Sequence, residues 1–270
     1  MYQRIENVTF IIAFAFYVVS ALLFLIQISK LSKRVEKVGV LTTLAGLVLH
    51  TVAMAARTIG AGRLPFSNQY EFALSFAWGI VLSFLILFAL YRFGAIGAFV
   101  LPLAILVMGY ASMQNKTVRP LMPALQSIWL TFHVGTAILS YGSFALACAI
   151  SVIYLIDSKR TSEHKILAEP EVSDILSYRV VVFGFMMLTI VIISGAIWAQ
   201  KAWSRYWAWD PKETWSLITW IIYAIYLHMR LRKNWRGKHA AWFSIIGFVS
   251  VIFTFVGVNI LLPSIHSYVN

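Results

Sequence analysis

The residues of this chain best suited to hold a metal-bearing ligand are its six histidines and ten tryptophans. The histidines are His50, His133, His164, His228, His239 and His266. Neutral imidazole is a common axial ligand of haem iron. Inside an apolar span it must face protein, ligand or a cavity, because lipid offers it no hydrogen bond. Residues 198–220 hold Trp198, Trp203, Trp207, Trp209, Trp215 and Trp220, which is more than half of the tryptophans. A bank of indoles at a membrane surface suits a large, flat, apolar ligand with a charged edge, and haem is such a ligand. An interfacial aromatic belt also collects tryptophan, although a belt usually places one or two at each span end.

These groups need a scaffold, and composition restricts what it can be. The chain has 270 residues, 60% hydrophobic and 12% charged. A soluble domain of this length could not hide so much apolar surface. Apolar runs long enough to cross a bilayer recur from end to end. They predict an all-α polytopic membrane helical bundle of about eight transmembrane helices, a single integral membrane domain over residues 1–270. The predicted spans are 8–29, 38–58, 71–91, 95–111, 128–156, 179–199, 215–231 and 241–263. The first run, Val8 to Ile28, is longer than a signal-peptide core and lacks a clear cleavage site, so it reads as a retained span. The polar 157–178 stretch reads as a solvated linker broken at Pro170. No internal repeat or low-complexity tract stands out.

The net charge of +12 is explained by loop asymmetry, with no need for nucleic acid. One set of alternating gaps and the N-terminal tail carries Arg4, Arg57, Arg63, Lys116, Arg119, Lys201, Arg205 and Lys212. The remaining fourteen of the 22 Lys and Arg fall in the other set. The richer set belongs in the cytoplasm. Both termini are then extracytoplasmic, as are the loops 59–70, 112–127 and 200–214. The single Cys148 lies in an apolar run and reads as a packing residue.

With the spans placed, the histidines acquire depths. His133 lies five residues into the fifth span, roughly 8 Å below its outer end. His266 follows the eighth span on the same side. Together they could clasp one iron beside the tryptophans; two separate interfacial histidines bonded to backbone fit equally well. His228 sits roughly 20 Å down the seventh span from Trp215, too deep to share that iron. His50 is deep in the second span, offset axially from His228 by roughly 8 Å; it could oppose His228 only with tilt or a kink, or it could hydrogen-bond within the bundle. His164 and His239 lie in polar inner loops and read as solvated. The segment Asp210-Pro211-Lys212-Glu213 has two readings as well. It is a helix start, with Asp210 as N-cap, Pro211 at the first position and Glu213 reaching back, and it is also close enough to the tryptophans to touch a ligand. Lys201, Arg205 and Lys212 could pair with the carboxylates of such a ligand or with headgroups.

Three motifs resemble the CcsA (ResC) proteins of the system II cytochrome c maturation pathway, haem-handling proteins with a WWD domain. The most specific runs from Trp203 through Trp207, Trp209, Asp210 and Glu213 to Trp215. The others run from Pro65 through Asn68 and Tyr70 to Glu71, and from Pro123 through Trp129 to His133. The stretch from Gly257 through Asn259 and His266 to Tyr268 is similar to the family's terminus. The likeness covers the chain from about residue 45 onward, with Ser204-Arg205 standing where the family commonly has a glycine.

The resemblance implies haem transport across the membrane and presentation to apocytochrome c for covalent attachment. It implies a b-type haem at an outer site faced by Trp203, Trp207, Trp209, Asp210 and Trp215 and ligated by His133 and His266. It implies a second, intramembrane haem on His228, opposite a ligand from a CcsB-like membrane subunit that this chain does not contain. The partners are then that subunit, apocytochrome c with its Cys-x-x-Cys-His motif, and the lipid bilayer, with no nucleic acid. The membrane is an inner, plasma or thylakoid-type membrane, and the active face is extracytoplasmic. The chain would be a component of a holocytochrome c synthase, although no residue stands out as acid, base or nucleophile. Competing readings are a CcmC-like haem chaperone delivering to a carrier, a transporter of another amphipathic molecule, and a structural subunit of a respiratory complex.

Overall fold

The computed structural model describes residues 1–159, 166 and 170–262. The chain divides into two compact units, 1–119 and 120–270. Each is built from long helices, as a bilayer requires of backbone that must satisfy its own hydrogen bonds.

The first unit contains α1 (Tyr2–Lys30), α2 (Lys33–Ala61), α3 (Gln69–Tyr91) and α4 (Gly97–Ser112), with a 3-10 turn at Gly94–Ile96. The helices pack in a ring, α1 on α2 and α4, and α3 on α2 and α4. Polar side chains tie them where lipid would leave them unsatisfied. Trp78 Nε1 donates to Thr51 Oγ1 at 2.9 Å. The Tyr17 hydroxyl and His50 Nδ1 are 3.2 Å apart, and His50 is fully buried, so His50 bonds within the bundle, one of the two readings its depth left open.

The motif from Pro65 to Glu71 builds the corner before α3. Asn68 caps the helix by accepting from Glu71 N at 2.9 Å. The buried Glu71 carboxylate accepts from Ser67 N at 2.8 Å, Arg57 Nη2 at 2.8 Å and Arg63 Nη1 at 2.8 Å. Arg57, 2% exposed, also donates to the Lys116 carbonyl at 2.7 Å. Two buried charges thus hold both loops, 62–68 and the one after α4, to the ends of α2 and α3.

The second unit contains α5 (Ile128–Asp157), α6 (Pro170–Trp203), α7 (Pro211–Arg232) and α8 (Lys238–Ile252), which continues through a π turn at Phe253–Gly257 into the short α9 (Val258–Leu261). A 3-10 turn at Pro123–Leu125 precedes α5. The small residues of α5 put it at the centre, packed on α6 and α8. Its most apolar window is 72% buried, against 28% for α6, whose outer face is left for lipid.

One expectation changes. Residues 170–178 are not linker. They are the first turns of α6, with Pro170 at the opening position where its missing N–H costs nothing. Among the described residues seven helices are apolar and long enough to cross a membrane, and α7 falls outside that set. It carries Lys212 and Glu213 at one end, and His228, Arg230 and Arg232 at the other.

Candidate functional site

His133 projects from the second turn of α5 against α6. Its Nδ1 lies 2.9 Å from the Val191 carbonyl oxygen. A carbonyl only accepts, so Nδ1 carries the hydrogen and the lone pair sits on Nε2, the tautomer of a metal-binding imidazole oriented by a backbone carbonyl. The ring stacks on Trp198 at 6.1 Å and 24°. Gly195, one turn beyond Val191, makes room for it: a Cβ there would lie 2.9 Å from both Cε1 and Nδ1 of His133. Val191, Gly195 and Trp198 share one face of α6 at spacings of four and three residues, so a single helix face forms the cradle.

The tryptophans of the segment do not form one flat sheet, and Trp203 is the one that adjoins this cradle. Trp203 meets the buried Trp198 edge-on at 4.9 Å and 64°. Trp207 and Trp209 meet at 5.7 Å and 87°. Trp215 packs on Phe253 of the π turn at 4.2 Å. Trp220 Nε1 donates to Thr189 Oγ1 at 2.9 Å. Lys201 Nζ lies 5.8 Å from the centre of the Trp129 ring. Tyr206 and Trp209 are the exposed aromatics of the loop, at 61% and 69%.

The loop takes this shape because both its ends are fixed. Ser204 ends α6 in the left-handed region at φ 59, with its N–H on the Gln200 carbonyl at 3.0 Å. That conformation favours glycine, and Ser204 holds it with a side chain. Trp209 is also left-handed, at φ 58. Glu213 Oε2 accepts from Ala208 N at 2.7 Å and from Asp210 N at 3.2 Å. Asp210 Oδ1 accepts from Lys212 N at 3.1 Å, which completes a capping box with Pro211 at the first helical position. The helix-start reading of Asp210 to Glu213 therefore holds, and its effect is to clamp Trp209 outward. Beside it, burial pushes the half-buried Lys212 ammonium down to about 8, with Asp210 pulling the other way.

His228 is exposed. It lies in line with Ile221 and Ile225, each 44% exposed, at spacings of seven and three residues. The buried face of α7 is the opposite one, with Thr219, Tyr223 and Tyr226. Counted from the starts of α5 and α7, His133 and His228 differ in depth by about 18 Å, too far to contact one metal atom together. His266 and His164 lie outside the described residues. His239 is exposed and ring-packed with Trp235 at 5.3 Å. Cys148 is buried, as its apolar surroundings implied.

The described part of the site is a tautomer-fixed imidazole packed against an indole, with Lys201 over the Trp129 ring and Lys212 in the first turn of α7. These residues fit one axial position and a carboxylate-bearing edge. The sequence did not point to Val191 or Gly195, because the cradle comes from a helix 58 residues away. The only local trace was the run of small residues Ser194-Gly195-Ala196.

Comparison with known proteins adds three findings. The model of a family described as Cytochrome C assembly protein matches residues 66–266. The cytochrome c biogenesis protein CcsA of Guillardia theta is 35% identical, covering 89% of this chain and 88% of its own. The protein of the same name from Trieres chinensis is 34% identical, covering 98% and 97%, and that of Chlamydomonas reinhardtii is 36% identical, covering 90% and 72%. The solved structure of the cytochrome c heme lyase CcmF superposes with a TM-score of 0.76 at 16% identity. It covers 98% of this chain, which spans about half (47%) of that larger one. At that identity the likeness shows the fold alone.

Proposed function

The chain belongs to the cytochrome c assembly family, alongside its CcsA biogenesis proteins, and on that premise we propose that it carries haem across the membrane and presents it at the extracytoplasmic face to apocytochrome c. The carrying observation is His133: its Nδ1 is fixed on the Val191 carbonyl and its ring is stacked on Trp198, which leaves the metal-binding lone pair on Nε2. His266 is the opposing ligand. Trp203, Trp207, Trp209 and Trp215 flank the macrocycle, and Asp210 acts by fixing the loop. Lys201, Arg205 and Lys212 take the carboxylates.

The substrate is a b-type haem. It supplies the vinyl groups to which the thiols of a Cys-x-x-Cys-His segment add, each sulfur bonding one vinyl carbon and each thiol hydrogen going to the other. The chain supplies position: it orients the macrocycle and keeps its edge near the water phase. Two imidazoles also tune the iron potential. His228 holds a second haem deeper in the membrane. Its exposure on a span is costly without a partner, which supports an opposing ligand from a CcsB-like subunit. The active face is that of loops 59–70, 112–127 and 200–214.

The test is pyridine haemochrome quantitation of the detergent-purified chain. His133→Ala and His266→Ala each lower the haem content, and exogenous imidazole partly restores it. His228→Ala depletes a different spectral pool. Unchanged spectra in both outer variants would refute the ligand assignment. Haem that loads normally but passes only to a carrier protein, with no attachment to apocytochrome, would favour the chaperone reading.

A further inference from the structure

Two residues beyond His228, α7 is held by a side chain from the opening turns of α6. Asp174 Oδ1 accepts from Arg230 Nη1 at 2.9 Å, its other oxygen pairs with Nη2, and its carbonyl accepts from Nη2 at 3.1 Å. The same Oδ1 accepts from Gly237 N, the N-cap of α8, at 3.0 Å. The pair is nearly buried, with side-chain exposures of 7% for Arg230 and 11% for Asp174. Gly237 sits at φ 65, and a Cβ there would lie 2.6 Å from the Tyr154 hydroxyl.

The helix geometry gives this clamp a consequence. At about 100° per residue, Arg230 and His228 point to opposite sides of α7. His228 lies only four positions before the helix end at Arg232, and the last turn of a helix frays unless something ties it. A bidentate fork on Arg230 fixes the roll of that turn as well as its position. We propose that Asp174 is the positioning residue for His228: by holding Arg230 and the start of α8 it sets the direction in which the imidazole is offered to haem within the membrane. This rests on the reading of His228 as an iron ligand.

The test uses the full chain in a His133→Ala background, so that only the inner site is read. Haemin is titrated at the Soret band, and a spin label on Leu231→Cys, an exposed site, reports the order of the α7 end. Asp174→Asn should weaken the inner site about tenfold, the scale seen when a ligand's orienting group is lost, and should mobilise the label. Asp174→Glu should recover part of both. His228→Ala should remove the inner Soret component and leave the label unchanged. If Asp174→Asn fails to fold, Arg230→Lys keeps the charge and loses the fork, and the same two changes are expected. A mobile label with affinity within twofold of the parent overturns the positioning role. An unchanged label overturns the clamp. If His228→Ala keeps the inner component, the ligand reading itself has failed and takes this one with it, whatever the label shows.

Discussion

Gly195 offers a test of the outer site at a residue that touches no ligand. Adding one methyl places a carbon 2.9 Å from two atoms of the His133 ring. Ordinary contact needs about 3.5 Å, so the ring must retreat by about 0.6 Å. Overpacking of this kind costs about 1–3 kcal/mol. The retreat also strains the 2.9 Å bond to Val191, worth about 1 kcal/mol net. Gly195→Ala should therefore lower stability by about 2 kcal/mol and weaken haemin binding about tenfold, through loss of the oriented Nε2. The assay pairs thermal unfolding in detergent with Soret titration. A second substitution separates clash from generic damage. In His133→Ala the ring is gone and the added methyl has room, so the stability cost of Gly195→Ala should nearly vanish, a coupling of about 1–3 kcal/mol. Wild-type affinity and spectrum in Gly195→Ala, or an equal cost in both backgrounds, would refute the cradle.

Three further outcomes follow from particular contacts. Glu71→Ala strips the main partner from the buried Arg57 and should cost about 3–5 kcal/mol, seen as a collapse of the thermal transition on size-exclusion. Ser204→Gly relieves a left-handed residue at φ 59; the relief of about 1 kcal/mol, less the added freedom of the unfolded chain, leaves a gain of about 0.5 kcal/mol in melting experiments. Lys212 is charged below about 8 and neutral above it, so affinity for a carboxylate-bearing porphyrin should fall between pH 7 and 9, and Lys212→Met should flatten that profile. The stability sign is opposite. Between about 8 and the ordinary 10.5 the unfolded chain binds more protons, so folding gains from rising pH there.

What the sequence made legible was local or periodic. Lipid fixes span length, so hydropathy located the helices, although it placed the start of α6 nine residues late. Asp210, Pro211 and Glu213 announced a helix start because capping acts over three residues. What escaped were pairings across distance. The charges near Asp174 looked solvated, yet that carboxylate bonds Arg230, 56 residues on, and the stretch folds as helix around it. His133 stood out as a candidate, while the carbonyl and the glycine that orient it sit on α6 and leave no pattern beside it. Ser204 looked like a departure from the family. The backbone shows what keeping a side chain there costs. Residues 65–71 resembled the family without a stated role, and the structure gives them the job of folding a corner.

The central claim is that one iron is held between His133 and His266 at the outer rim. Near-infrared magnetic circular dichroism of the haem-loaded chain, in a His228→Ala background, tests it most directly. The account predicts a low-spin ferric charge-transfer band of bis-imidazole ligation that is lost in both His133→Ala and His266→Ala and returns with added imidazole. A bis-imidazole band that survives either substitution without added imidazole would contradict it.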